Sequence, residues 1–391
     1  MKSISIILGS GFSLPEGIPG VKKINKIISE LKDDDFEITS GMTFVLLKEG
    51  QSKTESFSNR EDEIFFLNFI QWYIENVDCE FNYERFYDYF TNFRRLNENR
   101  DKLDKFFEFF KSSVPIMESS LNTMDSFCLR FSDYFNQLLS NILNSEEYYD
   151  SNGFGPERPY GVFIEYLSSL LKKGYEVNVH TLNHDLFFDH IASKHVDLSN
   201  SFTDGFSEFG SPYFGELRFN DTIYKKYLIR LKYFKNEFNQ KLRLFKLHGS
   251  VDNYIADVSL SDLTRVKKDW KIGEMYKEDK DLETYTSLYQ NSYPDIISGA
   301  NSKLLWYKEP YYKDLQAHFE NNLKNAEMLL IIGYGFGDIG INKKIEEFYM
   351  TSGRTIKIID PSEINHKFSK PFNLQFISKS IIEVTLNEFL N

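Results

Sequence analysis

The residues of this 391-residue chain best suited to chemistry stand at the ends of short apolar runs. Glu176-Val177-Asn178-Val179-His180 leads into Thr181-Leu182-Asn183-His184-Asp185, and Leu242-Arg243-Leu244-Phe245-Lys246-Leu247 ends in His248-Gly249-Ser250. A histidine titrates near neutrality, which makes His248 the natural general base. Asn183 both donates and accepts, so it can orient a hydroxyl group and an attacking water. Near the start, Ile4-Ser5-Ile6-Ile7-Leu8 runs into Gly9-Ser10-Gly11-Phe12-Ser13, and a helical pattern resumes at Val21. A glycine turn between a strand and a helix brings bare backbone N–H groups up to a phosphate. The usual dinucleotide fingerprint has a third glycine where this chain has Leu14.

Two later runs end the same way. Met328-Leu329-Leu330-Ile331-Ile332 stops at Gly333-Tyr334-Gly335-Phe336-Gly337-Asp338, and Thr355-Ile356-Lys357-Ile358-Ile359 stops at Asp360-Pro361. Gly333 and Gly335 suit either a close backbone approach to a ligand or a tight turn. Asp185 and Asp338 each read also as the cap or first-turn acid of a following helix, and Ser13 as a turn hydroxyl. Asp360 suits either the ribose hydroxyls of an adenosine, as strand-end acids do in dinucleotide folds, or a turn before Pro361. His180 and His184 flank Asn183 and receive no role.

To bring these clusters together, the elements must place strand ends side by side. Apolar strands alternate with helical stretches at Val21–Leu31, Tyr160–Lys172, Pro310–Asn325 and Ile341–Met350. That order predicts an α/β fold, a Rossmann-like parallel sheet with helices on both faces. Ligands of such sheets lie at the carboxyl ends of the strands, where every unusual cluster falls. From Glu61 to Leu143 the pattern is helical, with Phe65, Phe66, Phe69, Ile70, Tyr73 and Ile74 and then Phe86, Tyr89, Phe90 and Phe93 at three-to-four spacing. The expected organisation is one discontinuous domain, about 1–35 and 155–391, with a helical insertion of three to five helices over about 60–145. A short strand is expected within Met42–Leu47, an irregular loop over 198–222, and a helix near Leu260–Lys268. Tyr224–Lys241 carries Lys225, Lys226, Arg230, Lys232, Lys235 and Lys241 against the single acid Glu237. It reads as a basic helical or extended face, either solvated or in contact with an acidic partner.

Composition bounds the function. Hydrophobic residues make up 41% and charged residues 27%, as in a globular protein. The 37 Phe and 24 Tyr fit a Phe-rich helical core. A net charge of −12 argues against a protein that coats nucleic acid, so no direct nucleic-acid binding is expected. Cys79 and Cys128 are the only cysteines, which excludes a disulfide scaffold and a four-cysteine zinc site. No stretch approaches a membrane span, and Met1-Lys2 leads into a strand, so a cytoplasmic protein is expected.

Taken in order, the strand-end clusters resemble the sirtuin superfamily. There a Gly-Ala-Gly-x-Ser…Gly-Ile-Pro stretch, a Thr-x-Asn-x-Asp stretch and a His-Gly pair line an NAD pocket in a Rossmann-like domain. Here the matching residues are Gly9 to Ser13 with Gly17-Ile18-Pro19, Thr181 to Asp185, and His248-Gly249. The cluster Gly333 to Asp338, with Ile341-Asn342 after it, is similar to the bacterial sirtuin-like proteins of antiviral defence, of the kind paired with HerA-type ATPases. The resemblance covers roughly residues 3–32, 160–190, 242–252 and 326–362. It implies NAD as substrate, with Asn183, His248 and Asp185 catalytic, Asp185 holding the nicotinamide amide. It implies cofactor contacts at Gly9, Ser10, Gly11, Phe12, Ser13, Thr181, Gly333, Tyr334, Gly335, Asp338 and Asp360.

Two departures separate the chain from the sirtuin deacetylases. It lacks the paired cysteines of their zinc module, so no zinc is expected, and Gly20-Val21-Lys22 stands where they carry an Asp-Phe-Arg stretch. The resemblance therefore implies NAD hydrolysis to nicotinamide and ADP-ribose, acting in anti-phage defence by NAD depletion. It further implies a homo-oligomer and a partner chain such as a HerA-type ATPase or an Argonaute-like protein. An NAD-sensing module without turnover and an NAD-dependent deacylase or ADP-ribosyltransferase stand as alternatives.

Overall fold

The computed structural model describes residues 2–48, 50–54, 59–96, 100–113, 123–143, 159–217, 227–258, 263–269, 272–281, 283–288, 294–297, 309–362 and 374–390. The chain divides into two compact units. The first comprises Met1–Ile18, Glu146–Asn291 and Tyr307–Asn391, and the second Pro19–Ser145 with Ser292–Trp306.

The first unit is built on a seven-stranded sheet. Its strands are β1 (Ser3–Leu8), β2 (Glu176–Thr181), β3 (Phe202–Thr203), β4 (Leu242–Lys246), β5 (Met328–Ile332), β6 (Thr355–Ile359) and β7 (Leu374–Ile377). Spatial order is β7-β6-β5-β1-β2-β4-β3, and every neighbouring pair is parallel. All six residues of β1 are buried, as a central strand covered on both faces requires. The protein therefore has the expected α/β, Rossmann-like sheet. Strand order reverses at β1, which sends the chain to β2 on one side and receives β5 on the other. In such sheets the crevice for a ligand opens at this reversal, beyond the carboxyl ends of the strands.

Register makes the strand ends coincide. Leu8 lies opposite both Ile332 and Thr181, and Thr181 lies opposite Lys246. The turns after β5, β1, β2 and β4 thus leave the sheet at one level. The helices α1 (Gly161–Lys172), α2 (Phe187–Lys194), α3 (Pro310–Asn325) and α4 (Ile339–Ser352) accompany the strands. α1 buries Phe163, Ile164, Tyr166, Leu167, Leu170 and Leu171, a stripe at helical spacing. α3 starts at Pro310, with the Glu309 side chain accepting from the Tyr312 N–H as its cap.

Two four-stranded antiparallel sheets, drawn from residues 205–287, complete this unit. Over the described residues they correct the expectation of an irregular 198–222 and of a helix near Leu260–Lys268; residues 218–222 and 260–262 lie outside the described ones. Leu263–Lys267 is a strand paired antiparallel with Asn253–Val258. Its Val266 is buried, and Arg265 is buried too and paired with Glu309 through both guanidinium NH groups. A charge at an inward position hid the strand's alternation. From residue 227 on, the basic stretch is extended, with strands at Leu228–Arg230 and Tyr233–Glu237, while Lys225 and Lys226 lie outside the described residues.

The second unit contains helices Val21–Ser29, Arg60–Asn76, Tyr83–Leu96, Arg100–Ser113 and Met124–Leu143, with the antiparallel pair Phe36–Ile38 and Phe44–Leu46. Its core is aromatic, as the phenylalanine count suggested. Phe69 alone packs against Phe86, Phe106, Phe127 and Phe131 at centroid distances of 4.7–5.3 Å. Among the described residues no helix is long and apolar enough to cross a membrane.

Candidate functional site

At the β1 end the glycines are spent on one another. The Gly9 N–H donates to Ile332 O and the Gly11 N–H to Gly333 O, lacing the turns after β1 and β5 together. A Cβ on Gly9 would stand 2.5 Å from Gly333 O, and one on Gly333, which has φ of +60°, 2.4 Å from the Gly11 carbonyl carbon. These positions are glycine because two backbones touch there. Gly335 and Gly337 differ: both are exposed, with nothing within 4 Å of an added Cβ. An added side chain at either would meet open space. Phe12 is a core residue, ringed by Tyr160, Phe163, Phe187 and Phe188. Ser10 is exposed on the turn.

The turn after β2 is held by a short relay. Asn183 Nδ2 donates to Gly9 O at 3.0 Å and to Ser13 Oγ at 3.1 Å. Ser13 Oγ in turn donates to Asp185 Oδ2 at 3.0 Å. Both amide hydrogens of Asn183 are therefore used inward, and no described residue donates to its Oδ1. The half-exposed Asn183 can offer a ligand only an acceptor oxygen, which narrows the donor-and-acceptor role read from its type. Thr181 Oγ1 accepts from the Asn183 N–H, fixing the backbone of the turn.

Asp185 is buried, and its Oδ1 accepts from the Phe187 N–H at the start of α2. Lys246 Nζ reaches the Asp185 carbonyl and Ser250 Oγ, and pairs with Asp189 at 3.0 Å. Burial raises the Asp185 carboxyl above its usual range, against the opposing pull of Lys246, the Phe187 N–H and the Ser13 hydroxyl. Its carboxylate serves the turn: it latches Ser13 and opens α2.

His248 follows β4 and is buried, its Nε2 lying 3.1 Å from Asp338 Oδ2. The other Asp338 oxygen, Oδ1, accepts from the Ile341 N–H and caps α4. Tyr334, read as a ligand contact, folds back onto its own loop: its hydroxyl donates to Asn342 Oδ1 and accepts from the Asp338 N–H. The Asn342 amide closes this loop onto Phe336 O, holding the non-glycine Phe336 at φ of +57°. Asp360 Oδ1 accepts from the Ser362 N–H across Pro361, so that acid forms the turn at the end of β6.

The structure thus gathers Gly9, Ser13, Asn183 and Asp185 into one hydrogen-bonded group and joins His248 to Asp338. Sequence reasoning missed Lys246, which anchors the turn after β2. Its signal was a lysine inside an apolar strand, where a charge persists only with partners.

The fold and the strand-end site define a class: a doubly wound, Rossmann-like parallel sheet with its polar groups at the topological switch. No protein-family model and no curated protein matches the chain. Among solved structures it is similar to sirtuins. One is described as "The Structural basis of Sirtuin Substrate Affinity", at 12% identity and a TM-score of 0.38, the match covering 97% of this chain and 90% of that one. Another is "Sir2-p53 peptide-NAD+", at 11% identity and a TM-score of 0.34, covering 97% of this chain and 89% of that one.

Proposed function

We propose that the chain is a sirtuin-like NAD+ glycohydrolase, releasing nicotinamide and ADP-ribose. The observation that carries this reading is Asn183. Its amide nitrogen is tied down by Gly9 and Ser13, and its Oδ1 is left as an acceptor beside the reversal of the sheet. A group fixed in that way is pre-organised to hold a water or a ribose hydroxyl by its O–H. The residues present fit a dinucleotide, since Gly335 and Gly337 leave open space at the end of β5.

The chemistry asks little of the protein. The bond between the ribose C1′ and the nicotinamide nitrogen breaks, nicotinamide leaves neutral with the bonding pair, and positive charge builds on the sugar. Water adds its oxygen to C1′ and gives up a proton, which His248 takes. Asn183 Oδ1 orients the water or the neighbouring hydroxyl. A general base of this kind contributes roughly a hundred- to ten-thousandfold in rate. We assign the chain to bacterial anti-phage defence by NAD depletion, working as a homo-oligomer with a partner chain such as a HerA-type ATPase. The helical insertion and the basic extended stretch are the surfaces for that assembly.

The test is nicotinamide release from NAD by purified protein without a peptide acceptor, wild type beside Asn183→Ala and His248→Ala. Release by wild type and its loss in both variants supports the reading. Release that requires an acylated peptide or a protein acceptor turns it into a deacylase or transferase. Binding of NAD that survives Asn183→Ala, with no release under any condition, turns it into a sensor.

A further inference from the structure

We infer that Lys246 is a positioning residue for the proposed reaction: its ammonium ties the turn that carries Asn183 to the turn that carries His248, and Lys267, on an antiparallel sheet, steadies it through shared aspartates. The inference rests on the assignment of those two turns to the NAD site. Lys246 is the last residue of β4 and is buried. Its Nζ donates to the Asp185 carbonyl in the turn after β2 and, at 2.9 Å, to Ser250 Oγ in the turn after β4. A third oxygen, Asp189 Oδ2 in α2, lies 3.0 Å away. The three hydrogens of the ammonium thus have acceptors on three elements.

The contacts close into a circuit. Asp189 Oδ1 pairs with Lys267 Nζ at 3.1 Å, and Lys267 pairs with Asp252 Oδ2 at 3.2 Å. Asp252 Oδ1 accepts from the Ser250 hydroxyl, which leads back to Lys246. Asp204 gives Lys267 a further carboxylate at 2.7 Å. Taking charges out of water can cost more than their pairing returns, and apolar residues of similar volume often serve stability as well. What apolar side chains cannot do is hold a carbonyl and a hydroxyl at hydrogen-bond length from one point.

Backbone bonds already join the two turns, Leu247 N–H to Thr181 O and Val251 N–H to His184 O, both at 3.0 Å. They keep the strand ends paired when Lys246 is changed. The lysine adds a hold on Asp185, the end of the relay that runs through Ser13 Oγ to Asn183 Nδ2. Loss of the ammonium therefore releases the residue that aims Asn183 while the sheet stays formed. A misplacement of about 1 Å in a positioned group costs about a hundredfold in rate.

Lys246→Met keeps most of the side-chain length and removes its donors, but it leaves Asp189 short of a cation. The double variant Lys246→Met/Asp189→Asn returns the net charge of the cluster to its wild-type value. Both should show a fall in kcat of about a hundredfold with KM little changed, and in the double variant the fall should persist although Tm recovers. A purely structural cluster would regain kcat together with Tm. Ser250→Ala removes only one arm of the clamp, so it should fold as wild type does and lower kcat about tenfold. Hydrogen exchange followed by mass spectrometry reads the same effect without turnover: in the double variant, exchange should quicken over residues 182–186 and stay as in wild type along β1. Wild-type kcat in the double variant or in Ser250→Ala, or wild-type exchange over 182–186 in the double variant, overturns the inference. A raised KM with kcat unchanged also overturns it, since the lysine would then serve binding alone. Wild type silent toward NAD, with faster exchange over 182–186 in the double variant, defeats the hydrolase reading and leaves the positioning intact.

Discussion

Ser13→Ala probes the relay at the end of β1 most directly. The hydroxyl does two things at once: it accepts from Asn183 Nδ2 and donates to Asp185 Oδ2. Alanine nearly preserves its volume, so the loss is one of hydrogen bonds rather than packing. A hydrogen bond to a charged group contributes about 1.5–3 kcal/mol, so a loss of about 2 kcal/mol is expected near neutral pH. The sign with pH follows from Asp185. Burial raises its carboxyl above the usual range, and the Ser13 hydroxyl is one of the groups opposing that rise. An acid raised in the folded state contributes stability that is fully present below its unfolded pKa and is lost as pH rises through the folded one. Removing the hydroxyl raises the folded pKa further, which enlarges the loss at neutral pH. The difference between variant and wild type should therefore shrink to about 1 kcal/mol near pH 4, the size of a neutral hydrogen bond. Urea unfolding of both proteins at the two pH values measures it. The accompanying activity should fall about tenfold, because Asn183 keeps its bond to Gly9 O but loses the second anchor that orients its amide. A destabilisation equal at both pH values, or below about 0.5 kcal/mol at neutral pH, would refute the relay.

Two further substitutions test the sheet and the glycine turns. His180 is buried between Phe245 and Phe319, and no described residue hydrogen-bonds either ring nitrogen. Burial, with His318 adding to it, pushes its pKa down to about 3. The folded protein thus refuses a proton that the unfolded chain binds below its ordinary value, and stability drops by about 1.4 kcal/mol per pH unit as pH falls through that window. His180→Phe should stack in the same place and move the acid-unfolding midpoint, followed by circular dichroism, to lower pH; an unmoved midpoint would count against this account. Gly333→Ala puts a Cβ against the Gly11 backbone at a left-handed φ and should cost several kcal/mol, read as lost soluble yield or a large drop in Tm. Gly335→Ala meets nothing and should leave Tm within about 1 °C, while weakening NAD binding by calorimetry if that open face receives the dinucleotide.

Most of the sheet was legible because β1, β5 and β6 are largely apolar and β2 and β4 are short strand-like runs, all separated by helical stretches, a pattern that suits a doubly covered parallel sheet; β3, at Phe202–Thr203 inside the stretch expected to be irregular, was not. The antiparallel sheets were not. Arg265 is an inward charge satisfied by Glu309, a residue 44 positions away, and local pattern cannot see such a partner. Lys267, buried against Asp189, Asp204 and Asp252, is a second case in the same strand. The partition of the site was likewise hidden. Asn183 and His248 could be named by type and place, but which oxygen of an acid faces which donor depends on the third dimension.

The glycines carry the same lesson further. Gly9, Gly11 and Gly333 look like a phosphate cradle, yet their missing side chains let the turns after β1 and β5 close on each other. That closure shapes the switch point. It sets the Gly9 carbonyl where Asn183 Nδ2 can reach it and starts the loop that ends at Asp338. The switch point is thus assembled in two steps: backbone packs on backbone first, and the packed turns then hold Asn183 through Gly9 and Ser13 and set Asp338 against His248. Substitutions in the first step should abolish folding of the site, and those in the second should spare the fold and alter the chemistry. Gly333→Ala and Asp338→Asn represent the two steps, and their contrast in Tm and in kcat separates structure from catalysis in a single pair of proteins.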